Sequence, residues 1–277
     1  MEQPNNQFID KLVGLPKDQE HLEHEWHRYI IEQITQIGGK KIEEFEIEKT
    51  SNDIALIHFA EKSADNFLKE YGRDKQITVP IKNIHVLKEH GTEEYTEGHF
   101  SRGAHSSTLK SILIDRNPSD TAFSLTLFHE LMHLKSYTAL QVLPSTEEDA
   151  AQVRPYRNGI AVVSRDGKTT YLNNLEEAII GYATEQFYNN SVKINSLFKD
   201  EKFDVSIDTS RREEVEKLYT LVDMLFQKNQ DSFSSKEEVL GLFIHAQANG
   251  DLFKVGRLIE KTLGEGTLKK LDATILK

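Results

Sequence analysis

The segment LFHELMH, residues 127–133, decides how this sequence is interpreted. It lies in a predicted helix over residues 119–137, directly after a predicted strand. A helix rises about 1.5 Å per residue with about 3.6 residues per turn, so His129 and His133 share one face roughly 6 Å apart. Two imidazoles placed in this way can bind one tetrahedral metal ion.

Glu130 completes the pattern H-E-x-x-H, in which each position has a chemical reason. The helix turns by about 100° per residue, so the Glu130 carboxylate flanks the two histidines, where it can take a proton from a metal-bound water. The apolar neighbours Phe128, Leu131 and Met132 predict a buried helix, and buried histidines need polar partners. We therefore predict Glu130 as the catalytic base, with two hydrogen-bonded core histidines as the simpler alternative.

A catalytic zinc site keeps three protein ligands, so a third donor must come from elsewhere in the chain. The segment LFHELMH, followed downstream by LNNLEEAIIGYATEQF (172–187), resembles the gluzincin-type zinc metallopeptidases, in which a Glu on a downstream helix completes a His-His-Glu site. The nearer similarity is to small bacterial and phage zincins, in which RxG, a hairpin and LNEA precede that helix. Here these motifs correspond to Arg157-Asn158-Gly159 and to LEEA at 175–178. The resemblance covers residues 98–187.

Two adjacent glutamates compete for the role of third ligand. The match to LNEA favours Glu177, and so does packing, because Gly181 and Thr184 on the same face are small enough for a close approach to the HELMH helix. Glu176 instead shares its face with a branched Ile180 and can form a capping box with Asn173. Since a box from Asn174 to Glu177 is equally easy to draw, Glu176 stays open as the alternative ligand.

The resemblance implies zinc-dependent hydrolysis of a peptide bond in a peptide or protein substrate. Many gluzincins carry an Asp four residues after the ligand Glu to orient the first His; here Gly181 occupies that position, so the partner of His129 is unassigned. The resemblance also implies that the strand over 109–115 forms the sheet edge that pairs with substrate. Candidates for stabilising the oxyanion are Tyr156, Arg157, Tyr182, Tyr219 and His245.

Composition limits the other functions that this chain can have. With 34 basic and 45 acidic residues, the net charge is −11, which argues against nucleic acid and anionic membranes as partners. There is no cysteine, so a metal site must use His, Asp or Glu, and such a donor set suits Zn²⁺. The start resembles no signal peptide and no apolar run reaches the ~18 residues of a membrane span, so we expect a cytoplasmic protein.

The fold class predicted is α+β: a small sheet with the HELMH helix, a second ligand-bearing helix, and a helical C-terminal part. The predicted parts are 1–97, mixed; 98–190, a zincin core; and 191–277, helical. Further predictions are helices over 18–37 and 51–71, strands within 76–88, an irregular stretch 89–105 and a hairpin about Asp166-Gly167. A lid formed by 138–172 and a weak metal set of His21, His24 and His27 are further hypotheses.

Two other functions compete with a general peptidase. One is a vestigial zincin that acts as an interaction protein through its helical C-terminal part, although the intact Glu130 argues against it. The other is a narrow regulatory protease with one cytoplasmic partner. The substrate, the oligomeric state and any latency cannot be derived from the sequence.

Overall fold

A computed structural model describes residues 9–14, 41–106, 110–143, 152–198 and 211–274. The chain is a mixed α+β protein, as predicted. The helix predicted over 18–37, with His21, His24 and His27, lies outside the described residues. So do Ser210, which the pattern Ser-x-x-Glu predicts as a helix cap, and the acidic pair Glu147 and Glu148, which we expect to face solvent.

The helices are, in chain order, α1 Ser51–Glu70, α2 Gly91–Tyr95, α3 Asp120–Lys135, α4 Asn173–Phe187, α5 Arg212–Gln227, α6 Lys236–Asn249, α7 Leu252–Leu263 and α8 Thr267–Thr274. The strands are β1 Lys11–Val13, β2 Ile84–Leu87, β3 Gly103–Ser106, β4 Ser111–Asp115, β5 Thr138–Leu143, β6 Gln152–Asn158, β7 Ala161–Val163 and β8 Thr170–Tyr171. The HELMH segment lies in α3 and the LEEA segment in α4, so both predicted helices are present.

A three-stranded sheet with the order β2-β4-β3 lies beside α3. β4 is its central strand, parallel to β2 and antiparallel to β3, so the prediction that residues 109–115 form the edge is wrong. The outer strands are β2 and β3, and β3 is the one that contacts α3 most closely. The stretch 89–105, which was predicted to be irregular, contains α2 and the start of β3. Alternation of apolar residues indicates a strand, but it does not indicate the strand's place in a sheet.

Residues 138–143 and 152–171 contribute to a second sheet, with the order β1-β5-β6-β7-β8. The described part of the segment 138–172 is thus built into a sheet, and the hypothesis that it restricts access to the site stays a prediction. The predicted hairpin about Asp166-Gly167 is present as β7 and β8, and Gly167 adopts a φ of +75° that its turn requires. Upstream, the only strand described within 76–88 is β2, because a 3₁₀ turn, Ile81–Asn83, follows Pro80.

α3 is the central helix of the first hydrophobic core, which it shares with α1, the three-stranded sheet and one face of α4. The other face of α4 packs into a second core formed with the C-terminal helices. The pattern Ser-x-x-Glu at 234–237 predicts Ser234 as the cap of α6, but the cap is Ser235, whose hydroxyl accepts from the Glu238 N–H at 3.3 Å. Asp251 precedes α7 as predicted, but its side chain makes no capping hydrogen bond. The division at residues 97 and 190 stays a prediction.

Among the residues that the structure describes, no helix is both long enough and apolar enough to cross a lipid bilayer.

Candidate metal centre

Three side chains from α3 and α4 converge on one point. The Nε2 atoms of His129 and His133 are 3.2 Å apart. Glu177 reaches them from the neighbouring helix, with Oε2 3.3 Å from His129 Nε2 and Oε1 3.4 Å from His133 Nε2. Within the described part of the chain, these three residues form a group that can hold a metal ion.

The spacing of these donor atoms fits a tetrahedral zinc site. Bonds of about 2.0–2.1 Å at tetrahedral angles place ligand atoms about 3.3–3.4 Å apart, close to the three separations measured here. The buried Glu177 Oε2 has no hydrogen-bond partner, although the His129 ring and the Arg211 guanidinium lie near it. Buried polar atoms normally have such a partner, so this orphaned oxygen supports a bound ion at this point.

Local sequence explains why α3 starts where it does. The Ser119 hydroxyl accepts a hydrogen bond from the Ala122 N–H at 3.1 Å, as an N-cap residue does. α4 begins differently, because Leu172 before it has a φ of +62° and its side chain cannot cap a helix. The backbone N–H groups there face the carboxylate of Asp272 in α8. The capping box predicted from Asn173 to Glu176 is therefore wrong.

The structure brings Glu177, and not Glu176, to the two Nε2 atoms, but the packing argument for that choice is wrong. A Cβ at Gly181 would lie 2.9 Å from Val215 Cγ2 and 3.0 Å from Arg211 Cβ, so the small residue allows the approach of α5. Ile180 faces α3 instead and is part of the core beside it. The two glutamates are separated by the helix rotation itself, about 100° per residue.

Glu176 lies under the site and is buried. Its Oε2 accepts from the Ile160 N–H at 2.9 Å, and its Oε1 accepts from Gln247 Nε2 at 3.3 Å. The same Oε1 lies 3.9 Å from His133 Nδ1, a buried atom without a hydrogen-bond partner. The Glu176 carboxylate is thus the acidic group nearest to the rear of the second histidine.

Glu130 lies on the sheet side of the site, where it contacts the edge strand. Its Oε2 is 3.0 Å from Nδ1 of His105 in β3. A Cβ at Gly103 would lie 3.1 Å from Glu130 Cγ and Oε1, so only glycine leaves the carboxylate its full space. The His105 ring also stacks on the His133 ring, with 4.4 Å between centroids and 13° between planes. His105 is a member of the site that the sequence analysis missed.

The charges of the site shift several pKa values. Burial raises the pKa of Glu177, but the adjacent His133 and His129 outweigh burial and hold it well below its usual range. Burial likewise opposes ionisation of Glu130, and the hydrogen bond with His105 and the surrounding histidines lower its pKa overall. Both carboxylates are therefore ionised at neutral pH, as a ligand and a base must be. Burial instead raises the pKa of Glu176 to about 8.

The motif Arg157-Asn158-Gly159 forms part of the support of the site. The Arg157 guanidinium donates to the carbonyls of Gly159 and Gly250, at 2.8 and 2.7 Å. The Asn158 amide nitrogen lies 3.1 Å from His105 Nε2. Gly159 has a φ of +55°, and a Cβ there would lie 2.2 Å from the Glu176 carboxylate oxygens. Each position of the motif thus has a separate physical task.

The predicted oxyanion candidates mostly have other partners. Arg157 is held as described, His245 Nδ1 hydrogen-bonds with the Tyr71 carbonyl, and Tyr182 lies edge-on against Tyr219. Tyr156, half-buried in β6, stays a candidate. Arg211 is a cation that the sequence analysis did not identify: its Nη2 lies 3.2 Å from Glu177 Oε2, and its side chain is 42% exposed.

Among the residues that the structure describes, the His129 ring contacts Glu177 and His133, and no further residue is seen to orient it.

Comparisons with family models, with curated proteins and with solved structures found no match to this chain.

Proposed function

We propose that this chain is a zinc-dependent metallopeptidase whose centre is His129, His133 and Glu177, with Glu130 as its general base. One observation carries the proposal: three metal-binding side chains converge with tetrahedral spacing beside a buried, ionised carboxylate. A purely structural metal site would need no base next to it. The pattern H-E-x-x-H with a downstream Glu supports the same chemistry.

Each residue has a definite task in this proposal. His129 and His133 offer Nε2, and Glu177 offers a carboxylate oxygen with Arg211 beside it. A bound zinc ion supplies Lewis acidity and lowers the pKa of water to about 7. Glu130 then accepts a proton from the attacking water and delivers it to the leaving amine. The hydrogen bond to His105 holds the carboxylate of Glu130 in place while it does so.

The outer strand β3 is the place where we expect an extended peptide to bind. In the described part of the sheet, β3 pairs with β4 on one side only. A peptide that adds to its other side would run past Glu130, which contacts Gly103 and His105 of this strand. This position replaces the strand over 109–115 that the sequence indicated.

The test combines metal analysis with a peptide library. We expect about one zinc per chain, because the donor set suits zinc. Glu130→Gln keeps both histidines and should keep the zinc, yet lose hydrolysis by ~10²-fold or more, as expected for a positioned base. Glu213→Gln, an exposed Glu paired with Lys217 on α5, is the matched control and should change neither quantity.

Three outcomes separate the candidate functions. Zinc with cleavage of many peptides supports a general peptidase. Zinc without cleavage of any library member supports the narrow regulatory protease or the vestigial zincin instead. A chain that binds less than half an equivalent after zinc is supplied contradicts the metal centre itself.

A further inference from the structure

A hydrogen-bonded chain connects the second sheet to the proposed base. Asn158 at the end of β6 contacts His105 of β3, and His105 contacts Glu130 of α3. The Thr138 hydroxyl of β5 lies 3.5 Å from Asn158 Oδ1. Four elements thus meet in one line of polar side chains that ends at the carboxylate of Glu130.

The direction of each hydrogen bond follows from the chemistry of its partners. An ionised carboxylate only accepts, so the His105 nitrogen that faces Glu130, Nδ1, must carry a proton. The other ring nitrogen, Nε2, faces the Asn158 amide nitrogen, which only donates. Nε2 must therefore accept and carry no proton. The two contacts together place the proton of His105 on Nδ1.

We propose that Asn158 and Glu130 together set this tautomer of His105, and that His105 is a positioning residue whose Nδ1–H holds the Glu130 carboxylate in a fixed orientation. The bond to Glu130 Oε2 leaves Oε1, the oxygen beside Gly103 of the edge strand, to take the proton. The inference rests on the proposed role of Glu130 as the base. His105 itself is not a metal ligand here, because both of its ring nitrogens are engaged.

The stacking of His105 supports a positioning role. Its ring lies nearly parallel to the His133 ring, and its side chain is 21% exposed. A ring held by a stacked neighbour and by two hydrogen bonds has little rotational freedom, so its donor has a defined direction. The strand that we expect to bind substrate therefore also carries the group that orients the base.

The tautomer can be measured without zinc or substrate. Long-range ¹H–¹⁵N correlation spectra of the full chain distinguish the protonated from the unprotonated ring nitrogen of each histidine. The His105 signals are assigned by their loss in His105→Asn. We expect protonation at Nδ1 in the wild type. A His105 ring protonated at Nε2 alone would overturn the proposal.

Two variants at one position test whether Asn158 sets the tautomer. Asn158→Leu removes the donor to Nε2 while Glu130 still accepts from Nδ1, so the Nε2 signal should move toward that of a protonated nitrogen and Nδ1 should keep its proton. Asn158→Asp has nearly the same size and offers only acceptors, so it should place protons on both nitrogens. Asn83→Leu, which removes an amide that donates to the Lys110 carbonyl, is the matched control and should leave the His105 signals unchanged. Wild-type signals in both Asn158 variants would also overturn the proposal.

A turnover measurement separates positioning from simple stability. For any library peptide that the wild type cleaves, His105→Leu should lower kcat by about tenfold or more, with KM and zinc affinity unchanged. His105→Asn can place an amide donor near the Nδ1 position and should recover part of that loss. Equal losses in both variants would contradict a role through the donor. If the wild type cleaves no library peptide, the general peptidase is excluded, and the spectra alone decide the inference about His105 and Asn158.

Discussion

Glu176 and Glu177 are neighbours in the sequence, yet they belong to two different regions of the molecule. Glu177 lies in a charged centre among His129, His133 and Arg211, and the two histidines outweigh burial and hold its pKa well below the usual range. Glu176 lies behind the two histidines among Ile160, Gln247 and Gly159, a buried region that we call the support. Burial raises the pKa of Glu176 to about 8. One step of about 100° around a helix therefore changes the chemistry of the same residue type completely.

The carboxylates of Glu176 and Glu177 also differ in how many of their oxygens have a hydrogen-bond partner. The support satisfies the carboxylate of Glu176 with a backbone N–H and an amide, and Gly159 makes room for it. The centre leaves Glu177 Oε2 without a hydrogen bond, since its histidine neighbours are placed for an ion. The carboxylate that faces the two histidines thus keeps one oxygen for an ion, whereas the carboxylate behind them has both oxygens hydrogen-bonded.

The largest expected difference between the regions is in zinc affinity. Glu177→Ala and His133→Ala each remove a ligand and should weaken zinc binding more than about a hundredfold, because even residues behind the ligands affect affinity 10–100-fold. The measurement is a titration against a competing chelator. His85→Ala, which removes a histidine paired with Glu46 at a distance from the centre, is the control.

Glu176→Ala tests whether the neighbouring glutamate also contributes to zinc binding. It should weaken zinc binding less than Glu177→Ala does, since it affects only the rear of His133. If Glu176→Ala loses the zinc while Glu177→Ala retains it, then Glu176 is the third ligand and Glu177 is not.

The next effect is on stability and belongs to the support. Glu176→Ala leaves the Ile160 N–H and the Gln247 amide without their hydrogen-bond acceptor and creates a cavity. The free energy of unfolding should therefore fall by about 2–3 kcal/mol. A capping-box residue at a helix end would have cost only about 1 kcal/mol. Denaturant unfolding of chelator-treated protein measures the difference. A loss within a few tenths of a kcal/mol would contradict the buried support.

Local patterns in the sequence were enough to predict which three side chains converge at the candidate metal centre. The spacing in HELMH places His129 and His133 on one face, and the LEEA segment contains the Glu177 that joins them. The same patterns could not predict His105 or Arg211. These residues reach the site through the position of β3 in its sheet and through the packing of α5 on Gly181. Contacts of this kind depend on tertiary arrangement and leave no periodic signal.

The support region was harder to predict for the same reason. The start of α4 looked like a capping box because Asn173 and Glu176 have the required spacing. The structure uses Asp272, about a hundred residues downstream, and thereby releases Glu176 to bind Ile160. Only the motif Arg157-Asn158-Gly159 indicated this region in advance, and it did so without revealing which contact each residue makes.

A smaller effect on stability should come from Gly159. Gly159→Ala places a Cβ against the Glu176 carboxylate at a φ of +55°, so both strain and displacement should cost about 2 kcal/mol. Gly98→Ala is the matched control, because Gly98 also has a positive φ, +85°, but a Cβ there meets nothing within 4 Å. It should cost about 1 kcal/mol from strain alone. Equal losses in thermal or denaturant unfolding would show that the approach of Glu176 to this turn has no energetic weight.

The remaining expected effect is a slope of stability with pH, and it has opposite signs in the two regions. Glu176 has a pKa of about 8 in the folded chain, above its ordinary value of 4.5, so the folded state holds a proton that the unfolded state releases between these values. Its contribution is complete below pH 4.5 and is lost as the pH rises through 8. Glu177, with a lowered pKa, contributes above pH 4.5 and loses that contribution only in more acidic solution.

In chelator-treated protein, Glu176→Gln should therefore flatten the fall in unfolding free energy between pH 4.5 and 8, by at most about 1.4 kcal/mol per pH unit. Because the histidines titrate in both proteins, the difference between wild type and variant isolates Glu176, and parallel curves from pH 5 to 8 would show that this carboxyl group does not hold its proton.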